Sequence, residues 1–151
     1  MNKSLFALLF VALFASVAQA QVVRDADVPA VVKSKMTEMF PGATAVVWTR
    51  DMPGFINSAF VQNKTKMSAT FSTSGSWVST ETFIKQDSLP AAANKFLLTT
   101  YADGKVTQCA KSQSVSQQTF ECRVKSKTAG EYDIVFDLQG NVLMKTAVEN
   151  E

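Results

Sequence analysis

Two stretches of this chain carry the same residue pattern about 60 positions apart, and that recurrence constrains the fold more tightly than any composition figure. Asp27-Val28-Pro29-Ala30 resembles Ser88-Leu89-Pro90-Ala91 at a displacement of 61. Met67-Ser68-Ala69-Thr70-Phe71 falls on Tyr132-Asp133-Ile134-Val135-Phe136 at a displacement of 65, and Phe55 falls on Phe120 at the same displacement. Phe71 precedes Gly75 by four residues, as Phe136 precedes Gly140. A four-residue difference between helix and strands reconciles the two offsets. Long periods of this kind mark duplicated supersecondary units.

Each unit reads as a helix followed by strands. Asp27 is a suitable N-cap, with Pro29 in the first turn, where its missing N–H does no harm. Val28, Val31, Val32, Met36, Met39 and Phe40 follow a helical stripe that Pro41-Gly42 ends. In the second unit Ser88 is the expected cap, Leu89, Ala93, Phe96 and Leu97 form the stripe with Tyr101 just beyond, and Asp103-Gly104 stops it. The rest alternates with period two, with Met67, Ala69 and Phe71 on one face and Ser68, Thr70 and Ser72 on the other. Strands are predicted near 43–49, 54–63, 66–73, 76–84, 105–114, 118–125, 130–137 and 141–147. The fold class expected is α+β: tandem duplicated α-β(3-4) units, about 25–84 and 86–147, forming an antiparallel sheet with two helices packed on one face.

The N-terminus has a separate character. Lys3, an apolar run from Leu5 to Val17 and the small-x-small site Ala18-Gln19-Ala20 read as a cleavable signal peptide over residues 1–20. The run is shorter than the roughly 20 residues of a spanning helix. Cleavage leaves a single domain of 131 residues, 21–151, exported to the periplasm or beyond, with no membrane association after cleavage. Removing Lys3 lowers the net charge from +2 to +1. A near-neutral chain without a basic cluster offers no electrostatic footprint for nucleic acid. The 151 residues contain no histidine. That excludes Ser-His-Asp and Cys-His nucleophile pairs, imidazole bases and the usual catalytic zinc sets. The composition leans against an enzyme, and no cofactor is expected.

Cys109 and Cys122 are the only cysteines. In an oxidising compartment disulfides persist. A hairpin pairing 109 with 122 has its midpoint between Val115 and Ser116, and opposed residues of a non-hydrogen-bonded pair lie within disulfide range. A disulfide between them is expected; two small buried thiols are the other reading, and a catalytic thiol lacks a neighbouring base. Trp48 and Trp77 sit at strand positions and read as core or sheet packing. Ile56, Ser58 and Phe60 alternate against Phe55, Asn57, Ala59 and Val61, so one set faces away from the helices unless a bulge shifts the register. If Ile56 and Phe60 are exposed together, they form the candidate partner surface. Glu131, Asp133 and Asp137 could supply oxygen ligands to calcium, but they lack the spacing of an EF-hand, and strand alternation puts them on a solvated face. Asn63-Lys64-Thr65 matches a glycosylation sequon.

The ordered series Val28-Pro29-Ala30, Phe40-Pro41-Gly42-Ala43, Val46-Val47-Trp48, Phe71-Ser72-Thr73-Ser74-Gly75-Ser76-Trp77 and Tyr132-Asp133-Ile134-Val135-Phe136-Asp137-Leu138-Gln139-Gly140 resembles the PepSY-like, β-lactamase-inhibitor-like domains of secreted bacterial proteins. The similarity runs from about Asp25 to Lys145. Family members often carry an Asp-x-Asp-Gly turn, whereas here the turns are Ser72-Thr73-Ser74-Gly75 and Asp137-Leu138-Gln139-Gly140, which weakens a calcium reading. The resemblance implies a periplasmic or secreted module with no established enzymatic activity. The function expected is a non-catalytic binding or inhibitor-like module that contacts another secreted or periplasmic protein. A calcium- or small-ligand-responsive periplasmic sensor is the alternative.

Overall fold

The computed structural model describes residues 21–148. The expected signal peptide lies outside the described residues. The described residues are α+β, with nine strands and two α-helices, and they separate into two compact units. The first contains residues 21–83 and the hairpin tip 112–117; the second contains 84–111 and 118–148.

In the first unit β1 (Gln21–Val23) precedes a 3-10 turn (Asp25–Asp27), helix α1 (Ala30–Met39) and strands β2 (Thr44–Arg50), β3 (Phe55–Gln62), β4 (Thr65–Ser72) and β5 (Trp77–Ile84). Successive strands pair antiparallel from β1 through β5. The second unit has a 3-10 turn (Gln86–Ser88), helix α2 (Ala91–Thr100) and strands β6 (Lys105–Ser114), β7 (Gln118–Ser126), β8 (Gly130–Phe136) and β9 (Val142–Ala147). Here β6 neighbours β7, and β7, β8 and β9 pair antiparallel in turn. The order of 3-10 turn, helix and four strands thus recurs. β1 is the strand that periodicity missed, since three residues are too few to show alternation.

Both helices begin at proline rather than at the polar residue expected to cap them. Pro29 and Pro90 occupy the N-cap positions, each with φ −52°, and no side chain caps either helix. Asp27 and Ser88 instead end the preceding 3-10 turns. The proline ring fixes the entry angle, and the Pro29 carbonyl accepts from the N–H groups of Val32 and Lys33 at 3.0 and 3.2 Å.

Each helix, with the residues that flank its two ends, buries a stripe of residues four apart. Val28, Val32, Met36 and Phe40 form the first, and Leu89, Ala93, Leu97 and Tyr101 the second. Val31, expected in the first stripe, is exposed. The first stripe packs on Trp48, Ile56, Phe60, Ala69 and Phe71 from β2, β3 and β4. The second packs on Cys109, Cys122, Val124, Ile134 and Phe136. Full burial of a large apolar side chain contributes about 1.5–3 kcal/mol, so either stripe far outweighs the weak intrinsic helicity of ten residues.

Ile56 and Phe60 therefore do not form an exposed partner surface. Ile56 is 0% and Phe60 3% exposed, and the Phe60 ring lies 4.8 Å from that of Phe40, centroid to centroid. The face that turns away from α1 carries Phe55, Asn57, Ala59 and Val61, as the pairs Ile56↔Phe71 and Ser58↔Ala69 require. Ser58 fits the core face because its hydroxyl donates to the Ala69 carbonyl at 3.2 Å and approaches the Met36 sulfur at 3.6 Å.

The glycines that follow Phe71 and Phe136 serve close approach to a helix. Gly140 has φ +89°, and a Cβ there would lie 2.6 Å from the Ala93 amide nitrogen in the first turn of α2. Gly130 has a similar φ of +95° with open space around it. Replacing Gly130 by Ala should cost roughly 1–2 kcal/mol from backbone strain alone. Gly140→Ala should cost clearly more, about 3 kcal/mol or above, because backbone must also move. Urea denaturation of the two variants checks this, and equal losses would remove the role assigned to helix approach.

Candidate functional site

The first unit carries a cleft of about 220 Å³ between α1 and the start of β2. Its floor is apolar, from Met36, Phe40, Val46 and Trp48, and Asp25 and Lys33 stand at its rim. A bulge in β2 shapes one wall. Thr44 pairs with Val61 and Val47 with Ala59, so β2 carries one residue more than β3 across this interval. Ala45 takes up the extra residue with φ +53°, a left-handed conformation that alanine adopts at a cost. Val46 and Trp48 consequently turn toward α1 while Val47 is exposed.

Polar atoms at the rim are tied together. The Trp48 indole N–H donates to Asp25 Oδ1 at 3.2 Å. Lys33 Nζ donates to the Asp25 carbonyl at 3.1 Å and to Oδ2 at 3.2 Å. Both charged side chains are substantially exposed, so the ion pair adds little stability and can reorient when something enters. The volume is below the roughly 300 Å³ where drug-sized ligand pockets begin. It suits one large apolar side chain.

A second feature lies on the strand face turned away from α1. Glu81 on β5 stands opposite Ser68 on β4, whose hydroxyl donates to Oε2 at 3.2 Å. Glu81 is 3% exposed, and its Oε1 has no hydrogen-bond partner among the described residues. Loss of water around the carboxylate outweighs the Ser68 hydrogen bond and pushes its pKa up from 4.5 to about 7. On the same face the Thr70 hydroxyl donates to Asn57 Oδ1 at 2.8 Å.

The residues singled out from sequence fall in different places. Trp48 is in the core and on the cleft, and Trp77 is half-buried, its N–H donating to Thr80 Oγ1 at 2.8 Å. The three carboxylates do not converge. Asp133 is buried rather than solvated, held by Arg123 through two hydrogen bonds of 2.7 and 2.8 Å. Glu131 lies 3.8 Å from Arg123 and 3.9 Å from Lys125. Asp137 accepts from the Gln139 and Asn141 amides and the Asn141 side chain, which holds its carboxyl below the usual range. Among the described residues no group of three His, Cys, Asp or Glu could hold a metal ion. Cys109 and Cys122 are both buried, and in this structure they stand as free thiols. Sequence reasoning placed Trp48 in a strand but missed the cleft, since Asp25 and Lys33 meet it only through the fold. Nor did it mark Glu81, which alternation alone leaves on a wetter face.

A family model described as "Putative beta-lactamase-inhibitor-like, PepSY-like" matches residues 56–144. The chain belongs to this family. A DUF2874-family protein from Bacteroides uniformis shares its fold at 24% identity, with a TM-score of 0.71 over 78% of this chain and 88% of that one. A protein from Bacteroides eggerthii described as periplasmic has 26% identity and a TM-score of 0.71 over 78% and 87% of the two chains. A protein from Bacteroides fragilis described as inhibitor-like (BLIP-like) has 19% identity and a TM-score of 0.67 over 80% and 86%. No curated protein matches the chain. Within this PepSY-like member, Asp25, Lys33, Met36, Phe40, Val46 and Trp48 all precede the matched segment. The cleft is thus built by this chain's first helix and second strand, ahead of the matched segment.

The buried carboxyl gives the domain a pH dependence. Its folded pKa is raised, so the stability it contributes is fully present below about pH 4.5 and is lost as pH rises through about 7. The loss amounts to about 3 kcal/mol. Glu81→Gln should flatten this decline. By urea denaturation the variant is expected within about 1 kcal/mol of the parent at pH 4.5 and roughly 2–3 kcal/mol more stable at pH 8. Parallel pH profiles for the two proteins would show that Glu81 does not titrate in this range.

Proposed function

We propose that this chain is an exported, non-catalytic binding module whose cleft beside Trp48 receives an apolar side chain of another periplasmic protein. The observation that carries the reading is the cleft itself, about 220 Å³ with an apolar floor under an exposed Asp25–Lys33 pair. Buried anchor residues that fill such recesses supply most of the energy of many protein interfaces, while a polar rim excludes water. The lining holds no serine or cysteine, and the chain has no histidine, so the common nucleophile–imidazole pairs are missing from it. Binding, rather than bond making, is what this surface can do.

Export is supported by the signal-like N-terminal sequence and by the Bacteroides eggerthii relative described as periplasmic. Among the described residues no helix is long and apolar enough to cross a membrane. The recurring order of 3-10 turn, helix and four strands, together with helix stripes displaced by 61 residues, supports duplication of an α-β unit as its origin. The inhibitor-like family description is consistent with a module that works by contact.

Thr37 is an exposed helix residue at the edge of the cleft, so Thr37→Trp places a large ring over the opening without entering the core. Thr99→Trp makes the same change at an exposed position of α2 and serves as the control. A partner captured from periplasmic extract and titrated by calorimetry should bind the control and the parent alike. It should bind Thr37→Trp at least tenfold more weakly, a difference of about 1.4 kcal/mol. Equal affinity for all three proteins would place the partner elsewhere and end the cleft reading.

A further inference from the structure

Cys109 on β6 and Cys122 on β7 belong to the core of the second unit. Both side chains enter that core from neighbouring strands, and the hairpin register sets them opposite each other. Ser114 N–H donates to the Gln117 carbonyl at 2.9 Å, which pairs 114 with 117 at the hairpin end. Stepping back along both strands pairs 109 with 122, and the Thr107 hydroxyl reaching the Arg123 carbonyl at 3.3 Å fits the same register. Antiparallel pairs alternate between hydrogen-bonded and non-hydrogen-bonded kinds. Ser114–Gln117 is of the first kind, and 109–122 lies an odd number of steps away, so it is of the second. Such pairs have Cα atoms about 4.5 Å apart, at the short end of the range a disulfide spans.

We propose that Cys109 and Cys122 are joined by a cross-strand disulfide formed while the chain folds after export. The inference rests on the export part of the proposed function, because an oxidising compartment supplies the oxidant. One cysteine thiolate attacks the disulfide of an exported thiol–disulfide oxidoreductase, giving a mixed disulfide and releasing the first oxidoreductase sulfur. The second cysteine thiolate then attacks the chain's sulfur in that mixed disulfide and displaces the oxidoreductase as a dithiol. One S–S bond forms in this chain as one is lost in the oxidoreductase. Two electrons pass to it, and the two thiol protons leave the cysteines and are balanced by the two on the released dithiol.

Timing follows from burial. In the closed core both thiols are buried, and the neighbouring Cys109, with burial adding to it, holds the Cys122 thiol far above its ordinary pKa. A thiol so held is a poor nucleophile and out of reach of a second protein. The exchange therefore belongs to the open hairpin, before α2 settles on it. Once formed, the bridge closes a short loop whose two strands already face each other.

The full chain, expressed in a bacterium with a periplasm, is fractionated and alkylated with iodoacetamide under denaturing conditions without reductant. Mass spectrometry of the periplasmic pool should show a monomer with no alkylated cysteine, and two after prior reduction. Any cytosolic pool is reduced, unfolded and refolded in a glutathione redox buffer, and the same unalkylated monomer is expected. Reduction of the oxidised protein should lower its melting temperature by roughly 5–15 °C. Two alkylated cysteines from periplasmic or refolded protein, or a disulfide-linked dimer, would overturn the proposal. A chain confined to the cytosol would overturn export alone, because the refolding arm still decides whether the pair bonds.

Discussion

The fold depends on one repeated contact, a helical stripe of four apolar residues laid on strands that alternate with period two. Val28, Val32, Met36 and Phe40 on one side meet Ile56, Phe60, Ala69 and Phe71 on the other. Neither partner is stable alone. A ten-residue helix is too short to persist in water, and a meander of short strands leaves its apolar face wet. The contact also fixes secondary choices. It requires glycine at 140, where the β8–β9 turn touches the first turn of α2. It requires a satisfied hydroxyl at Ser58, the polar residue between Ile56 and Phe60.

The face away from α1 obeys a different rule. There the strands carry Asn57, Ser68, Thr70, Ser79 and Glu81, and burial is compatible with them only as far as hydrogen bonds reach. Thr70 and Asn57 satisfy one another, and Ser68 satisfies one oxygen of Glu81. The other oxygen is the place where the accounting does not close among the described residues. A carboxyl in that position lowers its cost by holding a proton, which is why its pKa rises toward neutrality. Asp133 in the second unit takes the other route and stays paired with Arg123 in a two-point contact.

Much of this was legible in the residues. The helix stripes, the buried faces Met67-Ala69-Phe71 and Tyr132-Ile134-Phe136, and the Phe-x3-Gly turns all follow from periodicity, and eight of the nine strands were located by it. What failed did so for identifiable reasons. Polar caps were expected at Asp27 and Ser88, but proline two residues later sets φ by itself and leaves those residues to end 3-10 turns. Ile56 and Phe60 could face either way because Phe55 to Val61 is apolar at most positions on both faces. Only pairing with β4, whose alternation is unambiguous, settles which set is inside.

The cleft was illegible for a related reason, and it shows how a local irregularity creates a surface. A regular β2 would put Thr44 and Val47 on opposite faces, and the three-residue interval between them gives no hint otherwise. Both pair with outward positions of β3, so one extra residue must be absorbed, and Ala45 absorbs it at φ +53°. The backbone strain is local, on the order of 1–2 kcal/mol. In return Trp48 enters the core side with its indole N–H aimed at Asp25, and Val46 opens a wall opposite Met36 and Phe40. The recess therefore arises from a bulge held in place by an interaction with the 3-10 turn before α1, not from any sequence motif. The bulge thus exchanges a small backbone cost for the seating of Trp48 and Val46 toward α1, and the recess is the space left beside them.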